Sequence, residues 1–249
     1  MPLIILTKSF IALISALSGA GLTFLIKLDH KKLCALISVS AGALLGAALF
    51  TLIPEALDNI SSFELILGGI SGYLIFWVIS RYYSHICPAC SAGHFDEKAT
   101  KKFSEIFLTL FSALAFHSFL DGVAISAGDF HVERESNSIF LAITTHKFPE
   151  GLALASLMLG GGYHKTKIFI YTALVELTTV IGAACGILFI QDKIPSIWIG
   201  ILMAHIAGGF IFLSLHAVLG EMLKHHKTLV IVSLISGLAF ILVLRVFLG

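Results

Sequence analysis

HSFLDGVAIS at 117–126 and HKFPEGLALA at 146–155 are two copies of one pattern. His, Phe, Gly and Ala match at corresponding places, and Asp121 stands where Glu150 stands in the second copy. In each copy the imidazole and the carboxylate are four residues apart, which on a helix puts both on one face. Both copies lie within apolar stretches. Ionisable side chains at that depth are costly in hydrocarbon, so they mark function. The copies are one crossing and one loop apart, so they run antiparallel. An inverted repeat with a site at its interface is a transporter pattern.

The rest of the chain has the composition that such a site requires. Of its 249 residues, 57% are hydrophobic and 12% are charged, against about 25% charged in a soluble domain. That excludes a soluble enzyme, a disordered chain and a nucleic-acid binder; a net charge of +1 offers no basic field for phosphates. Polar breaks leave eight apolar stretches, about 3–26, 33–57, 63–83, 103–127, 138–160, 168–190, 195–219 and 228–248. Each is long enough to span a bilayer as a helix, at roughly 20 residues per crossing. The expected fold is an all-α membrane protein, a single transmembrane domain over 1–249 with eight helices. Four cysteines are too few and too scattered for a disulfide scaffold.

Lysine and arginine set the orientation. One set of alternate loops holds Lys27, Lys31, Lys32, Arg81, Lys98, Lys101, Lys102, Lys165, Lys167, Lys224 and Lys227; the other holds Lys8, Arg134, Lys193 and Arg245. The bias puts both termini outside and the 84–102 loop in the cytoplasm, with the plasma (inner) membrane as the expected location.

The deep ionisable residues are His117 and Asp121 in the fourth span, His146, Lys147 and Glu150 in the fifth, Glu176 in the sixth, and His205 and His216 in the seventh. Two helices that each offer an imidazole and a carboxylate can surround one divalent cation, and two carboxylates balance its charge. Lys147 and Glu176 then balance each other. Pro149 removes an amide donor, so the Thr145 carbonyl loses its usual partner and must face a cavity, a water or an ion. His205 and His216, taken singly, serve equally well as hydrogen-bonded glue between helices.

On HSFLDG and HKFPEG the sequence resembles the ZIP (Zrt/Irt-like) family of divalent metal transporters. LFTLIPEAL at 49–57 is similar to that family's HLLPEA segment, and AGGFIFLSLHAVLGE at 207–221 to its AGxFLYVALxDMLPE pattern. The resemblance covers nearly the whole chain and implies a ZIP-type bundle. It also implies that His117, Asp121, His146 and Glu150 ligate the metal. In two-metal relatives further ligands fall on Ser118, Lys147 and Glu176. A protonated ammonium has no lone pair to offer a metal, so Lys147 is expected to replace the second ion and to pair with Glu176. Asp121, Ser118 and Leu120 stand where the family's fourth-helix motif HNxPEG has Glu, Asn and Pro, Thr51 where it often has His, and Gly220 where it often has Pro. The resemblance further implies that the fourth and fifth helices, with their neighbours, slide against the rest.

In the 84–102 loop, His85, Cys87, Cys90 and His94 are a set sufficient for tetrahedral zinc; a flexible loop with reduced thiols is the plainer alternative. Cys34 and Cys185 are expected to be small apolar packing residues. The expected function is transport of a divalent cation into the cytoplasm by alternating access, without a resident cofactor and without enzyme activity. The mixed imidazole and carboxylate set puts zinc first, with iron, manganese or cadmium as other cargoes. The expected partners are the metal, the lipid and a second copy in a homodimer. The competing reading is an intramembrane zinc-dependent hydrolase, in which the His and acid residues together with Ser118 bind zinc and activate water; the chain has no HExxH pattern.

Overall fold

Long apolar segments in lipid have to satisfy their own backbone groups, and they do so as helices. The computed structural model describes residues 1–25, 30–83, 97–130, 133–160, 162–189, 195–219 and 227–248. Among these residues there are eight long helices and no strand. Helix α1 is Pro2–Leu25. Helix α2 runs His30–Ala47, passes through a π-helical turn at Ala48–Leu52 and ends on Ile53–Leu57. Then follow α3 (Ser62–Tyr83), α4 (Glu97–Phe130), α5 (Glu133–Gly160), α6 (Lys165–Phe189), α7 (Ser196–Leu219) and α8 (Lys227–Leu248). The order matches the eight apolar stretches. Helix α4 begins at Glu97, inside the segment expected to be loop, and α5 begins at Glu133.

Five segments are long and apolar enough to cross a membrane by length and composition: Pro2–Leu25, Cys34–Leu57, Lys165–Phe189, Ser196–Leu215 and Lys227–Phe247. Ser62–Val78 is a shorter apolar helix. Helices α4 and α5 fall below this measure, and they are the two that carry the repeated pattern. Large apolar side chains such as Phe63, Trp198 and Phe247 point out of the bundle, as suits a protein whose solvent is lipid. This is an integral membrane protein.

Local sequence accounts for the breaks. Pro54 has no amide to close on Phe50, and the turn before it widens so that the Ile53 N–H reaches the Ala48 carbonyl five residues back. Ser61 and Glu64 form a capping box at the start of α3: the Ser61 N–H donates to Glu64 Oε2 at 2.8 Å and the Glu64 N–H to Ser61 Oγ at 3.4 Å. Gly162, at φ 75°, closes the end of α5, where the Tyr163 N–H reaches the Met158 carbonyl. Helix α5 runs through Pro149 without interruption.

Four helix pairs make the closest seams: α1 with α5, α4 with α6, α2 with α8, and α3 with α7. Exchanging α1 for α6, α2 for α7, α3 for α8 and α4 for α5 turns each pair into another, which is the inverted repeat extended to the whole chain. Each seam is closed by reciprocal glycines. A Cβ on Gly19 would strike the Phe148 carbonyl, and one on Gly151 the Ala16 carbonyl. Gly122 and Gly182 stand in the same relation to Thr179 and Phe119, Gly42 and Gly237 to Leu234 and Val39, and Gly72 and Gly208 to His205 and Gly69. Without a hydrophobic drive between helices in lipid, this close backbone fit supplies the association. Helices α1, α4, α5 and α6 thus form one group and α2, α3, α7 and α8 another, joined chiefly where α2 meets α5.

Candidate metal centre

The i, i+4 spacing in α4 and α5 aims two imidazoles and two carboxylates at one point. One ligand atom from each of His117, Asp121, His146 and Glu150 lies within 4.8 Å of the other three. All four residues are buried. Asp121 Oδ2 is 3.3 Å from His117 Nε2 and 3.3 Å from His146 Nε2, and Glu150 Oε2 is 3.9 Å from His117 Nε2. His117 Nε2 and Asp121 Oδ1 are buried without a hydrogen-bond partner. Buried polar atoms are ordinarily paired, so these two have acceptor capacity that the protein itself does not use. Imidazole nitrogen and carboxylate oxygen together suit a borderline divalent cation.

Lys147 is fully buried beside them. Its expected partner, Glu176, is within 3.0 Å of Nζ. The pairing is broader than the sequence implied, because Nζ is also 2.9 Å from Asp121 Oδ2 and 2.9 Å from Glu150 Oε2. The lysine stem spans the gap between α5 and both neighbouring helices, so one ammonium serves three carboxylates. Ser118 completes the arrangement. Its Oγ accepts from Lys147 Nζ at 2.7 Å and donates to Glu150 Oε1 at 3.1 Å. Counted as ionised, three carboxylates and one ammonium leave two negative charges, the complement of one divalent cation.

The other expected residues lie elsewhere. His205 of α7 meets Ser71 of α3, with Nδ1 2.8 Å from Oγ. The Ser71 hydroxyl also donates to the Gly68 carbonyl at 2.7 Å, and its contact with His205 ties two helices together. Cys34 is buried and Cys185 half-buried. His85, Cys87, Cys90 and His94, and the side chain of His216, lie outside the described residues.

Three features of the centre were not read from the sequence. Phe210 of α7 packs its ring against both imidazoles, at centroid distances of 4.6 Å to His117 and 5.0 Å to His146. It is fully buried and walls one side of the cluster with hydrocarbon. The other two are hydroxyl clamps. Ser15 Oγ of α1 donates to the Thr144 carbonyl of α5 at 2.9 Å. Thr178 Oγ1 of α6 shares its proton between Val175 O at 2.6 Å and the Ala115 carbonyl of α4 at 2.7 Å. Each clamped carbonyl lies two residues before the histidine of its motif. The clamps are equivalent under the inverted repeat, and their sequence signal is present as Ser15-x-x-x-Gly19 and Thr178-x-x-x-Gly182.

The ZIP Zinc transporter family profile matches residues 84–245, more than half of the chain and both copies of the repeated motif. An uncharacterized protein of Methanocaldococcus jannaschii, MJ1036, is 27% identical over 184 residues, which cover 72% of each chain. The zinc transporter foi of Drosophila melanogaster is 28% identical over 138 residues, 53% of this chain and 19% of that one. An uncharacterized zinc transporter of Schizosaccharomyces pombe, P8A3.03, is 22% identical over 149 residues, 53% of this chain and 31% of its own. The chain thus spans less than a third of either of these two zinc transporters. The match to the family profile falls on the helices that build the buried His, Asp and Glu cluster, and the chain belongs to the ZIP zinc transporter family.

Proposed function

We propose that this chain, a divalent metal transporter by its family, carries Zn²⁺ into the cytoplasm through the cluster of His117, Asp121, His146 and Glu150. The observation that supports this most directly is the convergence of four ligand atoms within 4.8 Å in the buried interior of a membrane bundle. Two negative charges remain there after Lys147 is counted, so a divalent ion enters without leaving net charge in hydrocarbon. The ion loses its water to two imidazoles and two carboxylates. Iron, manganese and cadmium satisfy the same donor set less closely. In this reading α1, α4, α5 and α6 move as a unit against α2, α3, α7 and α8, which exposes the site alternately to the two sides.

Lysine and arginine distribution supports termini outside and an 84–102 segment inside; the plasma membrane is the proposed location and a homodimer the proposed assembly. His85, Cys87, Cys90 and His94 are proposed to gather metal leaving the site. Membership of a transporter family leaves the hydrolase reading without support. The test uses the protein reconstituted in vesicles, with uptake of zinc, iron, manganese and cadmium measured side by side. Glu150→Ala removes one ligand and one charge. Uptake should fall to background while the protein still elutes as a folded species. Wild-type uptake by folded Glu150→Ala would reject the site.

A further inference from the structure

We infer that Lys147 is a tethered counter-cation: its ammonium takes the cargo's place on Asp121 and Glu150 while the site is empty, and cedes those oxygens when metal binds. The inference rests on the transport reading above and adds a part to it. Asp121 Oδ2 and Glu150 Oε2 each lie 2.9 Å from Lys147 Nζ. They are also the carboxylate oxygens nearest the imidazoles. Ammonium and metal therefore compete for the same lone pairs.

An ammonium has three donors, yet four oxygen-bearing side chains surround this one: Asp121, Glu150, Glu176 and Ser118. It cannot serve all of them at full strength, so the arrangement contains its own alternative. With metal on Asp121 and Glu150, the ammonium rests on Glu176 and Ser118, already at 3.0 Å and 2.7 Å. With the metal gone, Asp121 and Glu150 would face each other as like charges in a medium that screens them poorly. Among the described residues no other lysine or arginine nitrogen lies within ion-pair distance of them. Lys147 keeps the empty site converged. A carrier that delivers net cargo has to make its return journey empty, and that is the step the ammonium serves.

The test separates net movement from exchange. Full-length protein in vesicles is assayed for ⁶⁵Zn²⁺ uptake into metal-free vesicles, which requires the empty return, and into vesicles preloaded with unlabelled Zn²⁺, which does not. Lys147→Gln combined with Glu176→Gln removes the ammonium and keeps the sum of fixed charge. The ratio of net uptake to exchange should fall by at least about tenfold, since Asp121 and Glu150 then face each other with no cation between them, and only in the empty form. Equilibrium Zn²⁺ binding to the same protein should tighten, because its competitor is gone. If the double variant does not fold, Lys147→Gln alone gives the binding reading, since it leaves Glu176 uncompensated in the loaded and the empty form alike: Zn²⁺ should bind more tightly, and the transport ratio is read on the double variant only. A parallel fall of both modes, an unchanged ratio, or weakened Zn²⁺ binding would each overturn the counter-cation. Absence of both modes in the unmodified protein would instead overturn the transport reading, and this inference with it.

Discussion

Lys147 is the residue on which the chemistry of the centre turns. A lysine in this position is tolerable only because three acids and a hydroxyl surround it. Removing one partner of such a buried set typically costs roughly 3–5 kcal/mol. The same neighbours predict what happens when the charge is reversed. In Lys147→Asp, the new carboxylate stands with Glu150, Glu176 and Ser118 around the space the ammonium filled. Oxygen ligands with excess negative charge draw in a cation. The variant should therefore hold two metal ions per chain where the unmodified protein holds one. Anomalous scattering from zinc-soaked crystals of both proteins counts them, and two strong peaks in the unmodified protein would refute this account of Lys147.

Helices α4 and α5 owe their positions to what lies behind them. Helix α5 presents His146 and Glu150 because α1 grips its opposite side through Gly19, Gly151 and the Ser15 hydroxyl. Helix α4 is held by α6 in the same way through Gly122, Gly182 and Thr178. The glycines at these seams differ from others in the same helices. A Cβ on Gly21 of α1 would enter open space, with nothing within 4 Å. Gly21→Ala should raise stability by about 0.5–1 kcal/mol, since alanine loses less freedom in a helix. Gly151→Ala and Gly122→Ala should lower it, because the methyl group meets backbone carbonyls that cannot move aside without parting the helices. Thermal unfolding in detergent gives the sign for each, and a Gly151→Ala protein as stable as the parent would remove the seam from the argument.

At the scale of the whole molecule, the two four-helix groups meet chiefly along α2 and α5. One small cleft between them is lined by Thr51, Leu141, Ala142, Thr145, Ile241, Leu244 and Arg245. Thr145 directly precedes His146, so the seam across which the groups would move passes beside the centre. Near the ends of their helices, Lys8 pairs with Asp129 between α1 and α4, and Arg245 lies 3.9 Å from Glu55 between α8 and α2. Both contacts join members of one group, so neither ties the groups to each other. If the charge bias orients the chain as proposed, epitopes fused to the N- and C-termini should be stained by antibody on intact cells. Staining of either terminus only after permeabilisation would invert or break that topology.

The eight helices, the antiparallel repeat and the convergence of two imidazoles with two carboxylates were legible in the sequence. Hydropathy and i, i+4 spacing are written along the chain, and a helix in lipid has little freedom to depart from them. His117 with Asp121, and His146 with Glu150, share a face whatever surrounds them. Which helices pair was another matter. Apolar faces of lipid-exposed helices are nearly interchangeable, so hydropathy cannot choose partners. The choice falls to glycines that fit one carbonyl and to hydroxyls that reach one backbone oxygen, as at Gly151 and Ser15. The same holds at the centre. The sequence paired Lys147 with Glu176, the nearest acid by depth, but a flexible stem lets Nζ reach Asp121 and Glu150 as well. Phe210, three helices away in the chain from His117, becomes the wall of the site only when α7 is packed against it. Periodicity along the chain determined which groups face together; close packing between helices decided which of them touch.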